Sequence, residues 1–150
     1  MYERILVPLD GSELSEAILP FVERMAGPLD SEVILLTVVL LPVAATVGVG
    51  GMLSPDELAS REGEALRQLS PVKARLETKG VRVRTVVTVG EAADGICRVA
   101  VQEAADLIAM STHGRGGVGR LLFGSVALGV LRQSALPVLM IRAAALRAAA

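Results

Sequence analysis

Short apolar runs alternate with longer segments of helical periodicity along this 150-residue chain. Five runs are strand-length, rich in β-branched or aliphatic residues, and bounded by turn residues. We predict strands over residues 4–9, 32–39, 81–89, 106–110 and 137–141. The segments between them are expected to contain helices, so the pattern predicts an alternation of strand and helix.

The segment after the first predicted strand has apolar residues at helical spacing from Leu14 to Met25. Ser12 is the expected N-cap of this helix, because a serine hydroxyl can accept from a free N–H of the first turn. Pro20 lies inside the pattern and is expected to kink the helix rather than abolish it.

A capping box marks the start of the next helix at Ser54-Pro55-Asp56-Glu57, with proline at the first helical position. We expect that helix to run toward Lys79 with a bend near Pro71. Two further amphipathic segments cover residues 91–105 and 125–134.

Strand and helix in alternation, joined by right-handed crossovers, predict an α/β fold. The expected architecture is a doubly wound, open five-stranded parallel sheet with helices on both faces. The length of the chain suits a single domain over residues 1–150, with residues 142–150 as a frayed tail. In such sheets a ligand binds at the carboxyl ends of the strands, where the winding reverses.

Charge and cysteine content exclude several function classes. Lysine and arginine number 15 against 16 acidic residues, so no broad basic field exists to hold nucleic acid. Cys97 is the single cysteine and cannot form an internal disulfide. No export leader is visible at the start of the chain, so we expect a cytoplasmic protein.

One stretch requires a membrane test, because residues 33–54 carry no charge and have about the length of a membrane span of roughly 20 residues. Pro42 interrupts the stretch, glycines loosen its second half, and no lysine or arginine lies close enough to set a topology. We therefore interpret it as a buried strand followed by a loop, with no membrane contact.

The glycine-rich segment over residues 111–125 is the most informative part of the sequence. Glycines let consecutive N–H groups converge on phosphate oxygens, while Gly124 and Ser125 would open the next helix with free N–H donors. From the residues alone, anion binding and a flexible surface loop remain equally open.

Two named motifs are excluded in this segment. Gly114, Gly116 and Gly119 match G-x-G-x-x-G, but Leu139 stands where a dinucleotide fingerprint needs an acidic residue. A Walker A loop would need a Lys-Ser/Thr pair where this chain has Arg120-Leu121.

Five separated segments match a third pattern, in the order Ile5-Leu6-Val7-Pro8-Leu9-Asp10-Gly11-Ser12, Val33-Ile34-Leu35-Leu36-Thr37-Val38, Met110-Ser111-Thr112-His113-Gly114-Arg115, Gly124-Ser125-Val126-Ala127 and Pro137-Val138-Leu139. Together they resemble the universal stress protein family over nearly the whole chain. The resemblance implies a Rossmann-like sheet with strand order 3-2-1-4-5. It also implies pairing of residues 137–141 with the same strand of a second copy in a homodimer.

The ATP-binding branch of that family has the loop pattern Gly-x2-Gly-x9-Gly-Ser/Thr. Gly114 and Gly124 are separated by nine residues here, and Ser125 follows. Ser111 stands where the branch has its first glycine, so a requirement for positive φ or for ribose contact at this position would lower affinity.

The resemblance implies an ATP site, with magnesium carried on the phosphates. Asp10 and Val38 would bracket the adenosine, although an Asp before Gly11 also suits a simple turn. Ser111 and the residues from Gly124 would contact ribose and phosphates. The full predicted set is Pro8, Leu9, Asp10, Val38, Met110, Ser111, His113, Gly114, Arg115, Gly124, Ser125 and Val126.

We therefore expect an ATP-binding stress-response protein that acts as a nucleotide-dependent switch, with loops 112–123 or 40–54 differing between states. The alternative is a dimeric interaction module of the same family that binds no nucleotide. In either case a further protein partner is expected. His113 is the only histidine and has no identifiable carboxylate partner, which favours a turn residue over a general base.

Overall fold

The sheet of the computed structural model contains five parallel strands in the order β3-β2-β1-β4-β5. This confirms the predicted fold class and strand order. The structure describes residues 2–41, 53–112 and 124–143. The strands are β1 (Arg4–Pro8), β2 (Glu32–Leu40), β3 (Arg82–Gly90), β4 (Leu107–Thr112) and β5 (Val138–Arg142).

Helices cover both faces of the sheet, because alternate strand residues point to opposite sides and both sides are apolar. One core contains Ile5, Val7, Val33 and Leu35. The other contains Leu6 of β1 and the buried, even-numbered hydrophobic residues of β2 and β4. The first core is covered by α2 (Leu19–Leu29) and α3 (Pro55–Glu77), and the second by α4 (Ala92–Gln102) and α5 (Ser125–Gln133).

The first predicted helix is broken rather than kinked. A short helix α1 (Glu13–Glu16) ends before two turn residues, and α2 begins at Leu19 with Pro20 in its first turn. Proline has no N–H to donate and its ring clashes with the carbonyl four residues earlier, which is that of Glu16. The prediction of one continuous helix was therefore wrong at residues 17–18.

Helix α3 confirms the predicted capping box. The Ser54 hydroxyl accepts from the Glu57 N–H, and the Glu57 carboxylate accepts from the Ser54 N–H at 2.7 Å. The helix continues through Pro71 without interruption as far as Glu77.

Several boundaries differ from the prediction. β4 continues two residues beyond Met110, because Ser111 and Thr112 pair with Ile141 and Arg142 of β5. Arg142 therefore belongs to the sheet and not to a frayed tail. The helix predicted over residues 91–105 ends at Gln102, because the backbone at Ala104 turns into the left-handed region with φ +51°.

Polar contacts fix the amino end of the sheet. The Asp106 carboxylate accepts from the Glu3 N–H at 2.7 Å and the Arg4 N–H at 3.3 Å. Arg84 joins Glu32 and Glu103, and its hydrogen bond to Glu103 is the main reason that its pKa is raised.

The uncharged stretch begins as β2, an inner strand of the sheet in which residues 33–36 are buried. Within the three described ranges, no helix combines the length and the apolar character that crossing a bilayer would require. Residues 42–52, which hold most of the predicted loop, lie outside the described residues.

Candidate functional site

A pocket of about 260 Å³ lies at the carboxyl end of the sheet. β1 has β2 on one side and β4 on the other, so the winding reverses at this point. Crevices at such reversal points are the usual ligand sites of open α/β sheets. The pocket is lined by Pro8, Leu9, Asp10, Leu14, Ser15, Leu36, Val38, Leu40, Ala92, Ile96, Met110, Ser111, Thr112, Gly124, Ser125, Val126 and Ala127.

The structure brings together every predicted site residue that it describes. They are Pro8, Leu9, Asp10, Val38, Met110, Ser111, Gly124, Ser125 and Val126. The remaining predictions, His113, Gly114 and Arg115, lie outside the described residues, as does most of loop 112–123.

Eight residues of the pocket lining were not in the predicted set. Leu36 and Leu40 lie two positions either side of Val38, so strand alternation alone assigns all three to one face of the sheet. Ser15 and Ile96 reach the pocket from α1 and α4, and no local signal identifies that placement. The other missed residues are Leu14, Ala92, Thr112 and Ala127.

Asp10 forms a turn that ends β1. Its Oδ1 accepts from the Ser12 N–H at 2.9 Å and from the Ser12 hydroxyl at 2.5 Å. Gly11 supplies the turn with φ +81°, a left-handed value that favours glycine. Among the described residues Oδ2 of Asp10 has no hydrogen-bond partner, so one carboxylate oxygen holds the turn while the other stays available to a ligand.

Two opposing effects set the charge of Asp10. Partial burial removes water and favours the neutral acid, which raises the pKa. Hydrogen bonds from the hydroxyl and N–H of Ser12 stabilise the carboxylate, the nearby Ser15 hydroxyl adds to this effect, and together they outweigh burial, so the pKa lies below its ordinary value. Asp10 therefore presents a negative charge to the pocket at neutral pH.

The backbone of Val38 is open toward the pocket. Two residues earlier, the carbonyl oxygen of Leu36 accepts from the Leu9 N–H at 2.8 Å. Backbone groups of an inner strand alternate between its two neighbours, so the N–H and C=O of Val38 also face the β1 side. β1 ends at Pro8, and no described residue pairs with Val38 on that side.

Ser111 lies in β4 opposite Ile141, and its φ is not positive. The replacement of the family glycine therefore introduces no left-handed strain. The Ser111 hydroxyl donates to the Ser15 carbonyl at 3.3 Å, a hydrogen bond that joins β4 to α1. This side chain bridges the two walls of the pocket.

The N-terminus of α5 provides free N–H donors at the pocket. The first intrahelical bond runs from the Leu128 N–H to the Gly124 carbonyl at 2.9 Å. The N–H groups of Ser125, Val126 and Ala127 precede it and have no partner among the described residues. They carry the positive end of the helix dipole, which attracts anions.

The described lining is mainly apolar, and Asp10 is its one ionisable side chain. In the part of the chain that the structure describes, no group of three metal-ligating side chains occurs. The arrangement offers a flat apolar slot near Val38, hydrogen-bonding groups in the middle and anion-binding N–H groups at the α5 end.

Comparison with known proteins gives one family. A model of the universal stress protein family matches residues 1–142. Universal stress protein MJ0531 of Methanocaldococcus jannaschii is 34% identical over 143 residues, which cover 95% of this chain and 83% of the relative.

Two solved structures are similar over almost the full length. The structure of protein MJ0577, a universal stress protein of Methanocaldococcus jannaschii, has a TM-score of 0.76 at 31% identity and covers 95% of this chain and 96% of its own. A universal stress protein of Archaeoglobus fulgidus in complex with dAMP has a TM-score of 0.65 at 25% identity and covers 93% and 98%.

Proposed function

The chain belongs to the universal stress protein family, and from that premise we propose that it is a stress-response protein that binds ATP. The observation that carries the proposal is the pocket itself. Predicted residues from the ends of β1, β2 and β4 and from the start of α5 meet there around one cavity. The Archaeoglobus relative in complex with dAMP supports an adenine nucleotide as the ligand class.

The adenine fits the β2 end of the pocket. Leu36, Val38 and Ile96 give it apolar surroundings in which a flat base can be buried. The free N–H and C=O of Val38 present one donor and one acceptor, which match the donor and acceptor edge of adenine. The ribose then lies near Asp10, whose Oδ2 can accept from a sugar hydroxyl.

The phosphates extend to α5, where the N–H groups of Ser125, Val126 and Ala127 can bind an anion. The span fits a nucleotide, because β2 and β4 lie two strand spacings apart, or about 10 Å. Magnesium would be held by phosphate oxygens and water, since the described pocket offers only the Asp10 carboxylate. It would neutralise the charge of the phosphates, because the described pocket lining contains no lysine or arginine.

Calorimetric titration of the nucleotide-stripped protein with Mg-ATP, and with AMP for comparison, tests the proposal. We expect micromolar ATP binding and weaker AMP binding. Asp10→Asn keeps an oxygen for the Ser12 turn but loses the charge, and should weaken ATP binding by about tenfold. Asp30→Asn, on an exposed residue remote from the pocket lining, is the matched control. Absence of heat with both nucleotides, and of any thermal shift, would contradict the proposal.

The switch is a further part of the proposal. Hydrogen exchange in loops 40–54 and 112–123 should slow when Mg-ATP saturates the protein, because bound nucleotide orders the chain around it. Exchange that is unchanged in both loops, under conditions in which calorimetry shows saturation, would leave a binding protein without this switch.

An interaction module is the second candidate, favoured by the edges of the sheet. The β3 edge carries Arg82 and Arg84, charges that oppose strand pairing. The β5 edge has only apolar residues before Arg142. The Ile108 N–H of β4 donates to the Pro137 carbonyl, so the backbone groups of odd-numbered residues face β4. The N–H of Met140 therefore points outward, away from the sheet. We propose that a second copy pairs along this edge in a homodimer.

Sedimentation analysis tests the dimer. Met140→Pro removes an outward N–H without removing a bond to β4, and should yield monomers. Met140→Leu keeps the N–H and the side-chain volume, and should remain dimeric. A dimer that survives Met140→Pro, in a variant whose thermal unfolding stays cooperative, would place the interface elsewhere.

A further inference from the structure

The hydroxyl of Ser111 links β4 to α1 at the pocket, on the side of β1 where the winding of the sheet reverses. It donates to the Ser15 carbonyl at 3.3 Å, and both residues are half-buried in the pocket wall. Both residues line the pocket, so a bound ligand has access to this pair of polar groups.

The acceptor of that bond exists because the first helix is interrupted. α1 ends at Glu16 ahead of Pro20, so no backbone N–H of the described residues donates to the Ser15 carbonyl. A carbonyl at a helix end needs a partner from outside the helix. Ser111 supplies that partner, and a glycine at position 111 would not.

We propose that Ser111 is a specificity-determining residue that makes nucleotide binding depend on one sugar hydroxyl. The inference rests on the proposed ATP site and concerns the sugar rather than the base or phosphates. In the proposed site the sugar lies between Val38 at the base end and Ser125 at the phosphate end, in the pocket that Ser111 and Ser15 also line.

The chemistry follows from hydrogen-bond matching. A sugar hydroxyl has one donor and two acceptor lone pairs. Inserted between the two residues, it accepts from the Ser111 hydroxyl and donates to the Ser15 carbonyl, so both protein groups stay satisfied. A deoxy sugar can do neither, and it loses about one net hydrogen bond, equivalent to roughly tenfold in affinity.

Asp10 provides an internal comparison. Its Oδ2 is available to a second sugar hydroxyl, and the Ser111 hydroxyl donates to the Ser15 carbonyl without contacting the Asp10 carboxylate. The two hydroxyls of the ribose are therefore read by different residues. Removal of the Ser111 hydroxyl should change the response to one deoxy analogue and not to the other.

The test is titration of the full chain with ATP, 2′-deoxy-ATP and 3′-deoxy-ATP. Wild type should bind at least one analogue about tenfold more weakly than ATP. Ser111→Ala should bring the dissociation constant of one analogue at least threefold closer to that of ATP and leave the ratio for the other unchanged. Ser111→Gly should behave like Ser111→Ala, and Ser70→Ala, an exposed hydroxyl on α3, should match wild type.

The outcomes separate the two proposals. If wild type binds ATP and both analogues equally, or if Ser111→Ala leaves both ratios unchanged or lowers all three affinities alike, the role of Ser111 is overturned while the ATP site stands. If wild type binds none of the three, the proposed function itself fails.

Discussion

A Cβ atom placed on Gly95 would lie 3.1 Å from both Cγ atoms of Val38. Gly95 is on the buried face of α4, and this helix lies so close to β2 that a side chain at this position would require Val38 to shift by a few tenths of an ångström. Val38 lines the pocket, which makes its position dependent on a glycine outside the lining. We expect Gly95 to set the depth of the slot for the base.

Gly95→Ala should therefore lower both stability and ATP affinity. Overpacking costs about 1–3 kcal/mol, and alanine returns about 1 kcal/mol through its helix propensity, so the net loss in the free energy of unfolding should be up to about 2 kcal/mol. Urea unfolding and calorimetric titration measure the two effects. Gly27→Ala in α2 is the control, because its Cβ meets nothing within 4 Å and should add about 0.5–1 kcal/mol of stability without affecting binding.

Ala104 and Gly80 make a reciprocal pair for backbone strain. Ala104 has φ +51° at the end of α4, and Gly80 has φ +79° after α3, where a Cβ would meet nothing within 4 Å. Ala104→Gly should stabilise the protein by about 0.5–1 kcal/mol, and Gly80→Ala should destabilise it by about 1 kcal/mol. Thermal and urea unfolding give both values. Changes of the same sign in the free energy of unfolding of the two variants would contradict this account.

Asp10 should make stability depend on pH in the acid range. Its folded pKa is lowered, so its contribution is full above the ordinary aspartate pKa of about 3.9 and is lost as the pH falls through the lower folded value. We expect the free energy of unfolding of wild type to fall more steeply than that of Asp10→Asn as the pH falls below about 4. Ser12→Ala removes the hydroxyl donor and should move the pKa of Asp10 upward in an NMR titration. Parallel pH profiles for wild type and Asp10→Asn would contradict the prediction.

The thiol of Cys97 should react slowly with alkylating reagents. Partial burial raises its pKa, and the carboxylates of Asp94 and Glu91 raise it further, so little thiolate is present near neutral pH. Alkylation by iodoacetamide near neutral pH should be slower than that of a free cysteine. Asp94→Asn should speed the reaction, whereas Asp30→Asn, at the end of a different helix, should not. A rate equal to that of free cysteine would show that the thiol is not protected in this way.

The sheet was predictable because its signals are local. Each strand is a short apolar run with turn residues at both ends, and the Ser54 capping box identifies the start of α3 from four residues. The end of β4 was not predictable in that way. Ser111 and Thr112 are polar, and they become strand residues through pairing with Ile141 and Arg142, about thirty residues later in the chain.

The candidate site likewise combines residues that the local sequence predicts with a contact that it does not predict. Asp10 and Ser125 follow from position, because one ends a strand and the other opens a helix. The contact of Ser111 with Ser15 joins residues 96 positions apart and depends on where α1 stops. No periodicity or motif encodes that distance, so only the folded chain reveals the contact.

The pocket takes its walls from β1, β2, β4 and helices that are spread over most of the chain. Partial folding of any one segment cannot assemble it, so a molecule in the pocket recognises only the complete domain. Ligand binding and global folding are then thermodynamically linked, and the occupied form unfolds less often. For a protein degraded from its unfolded state, the ligand concentration would set its lifetime and hence its abundance.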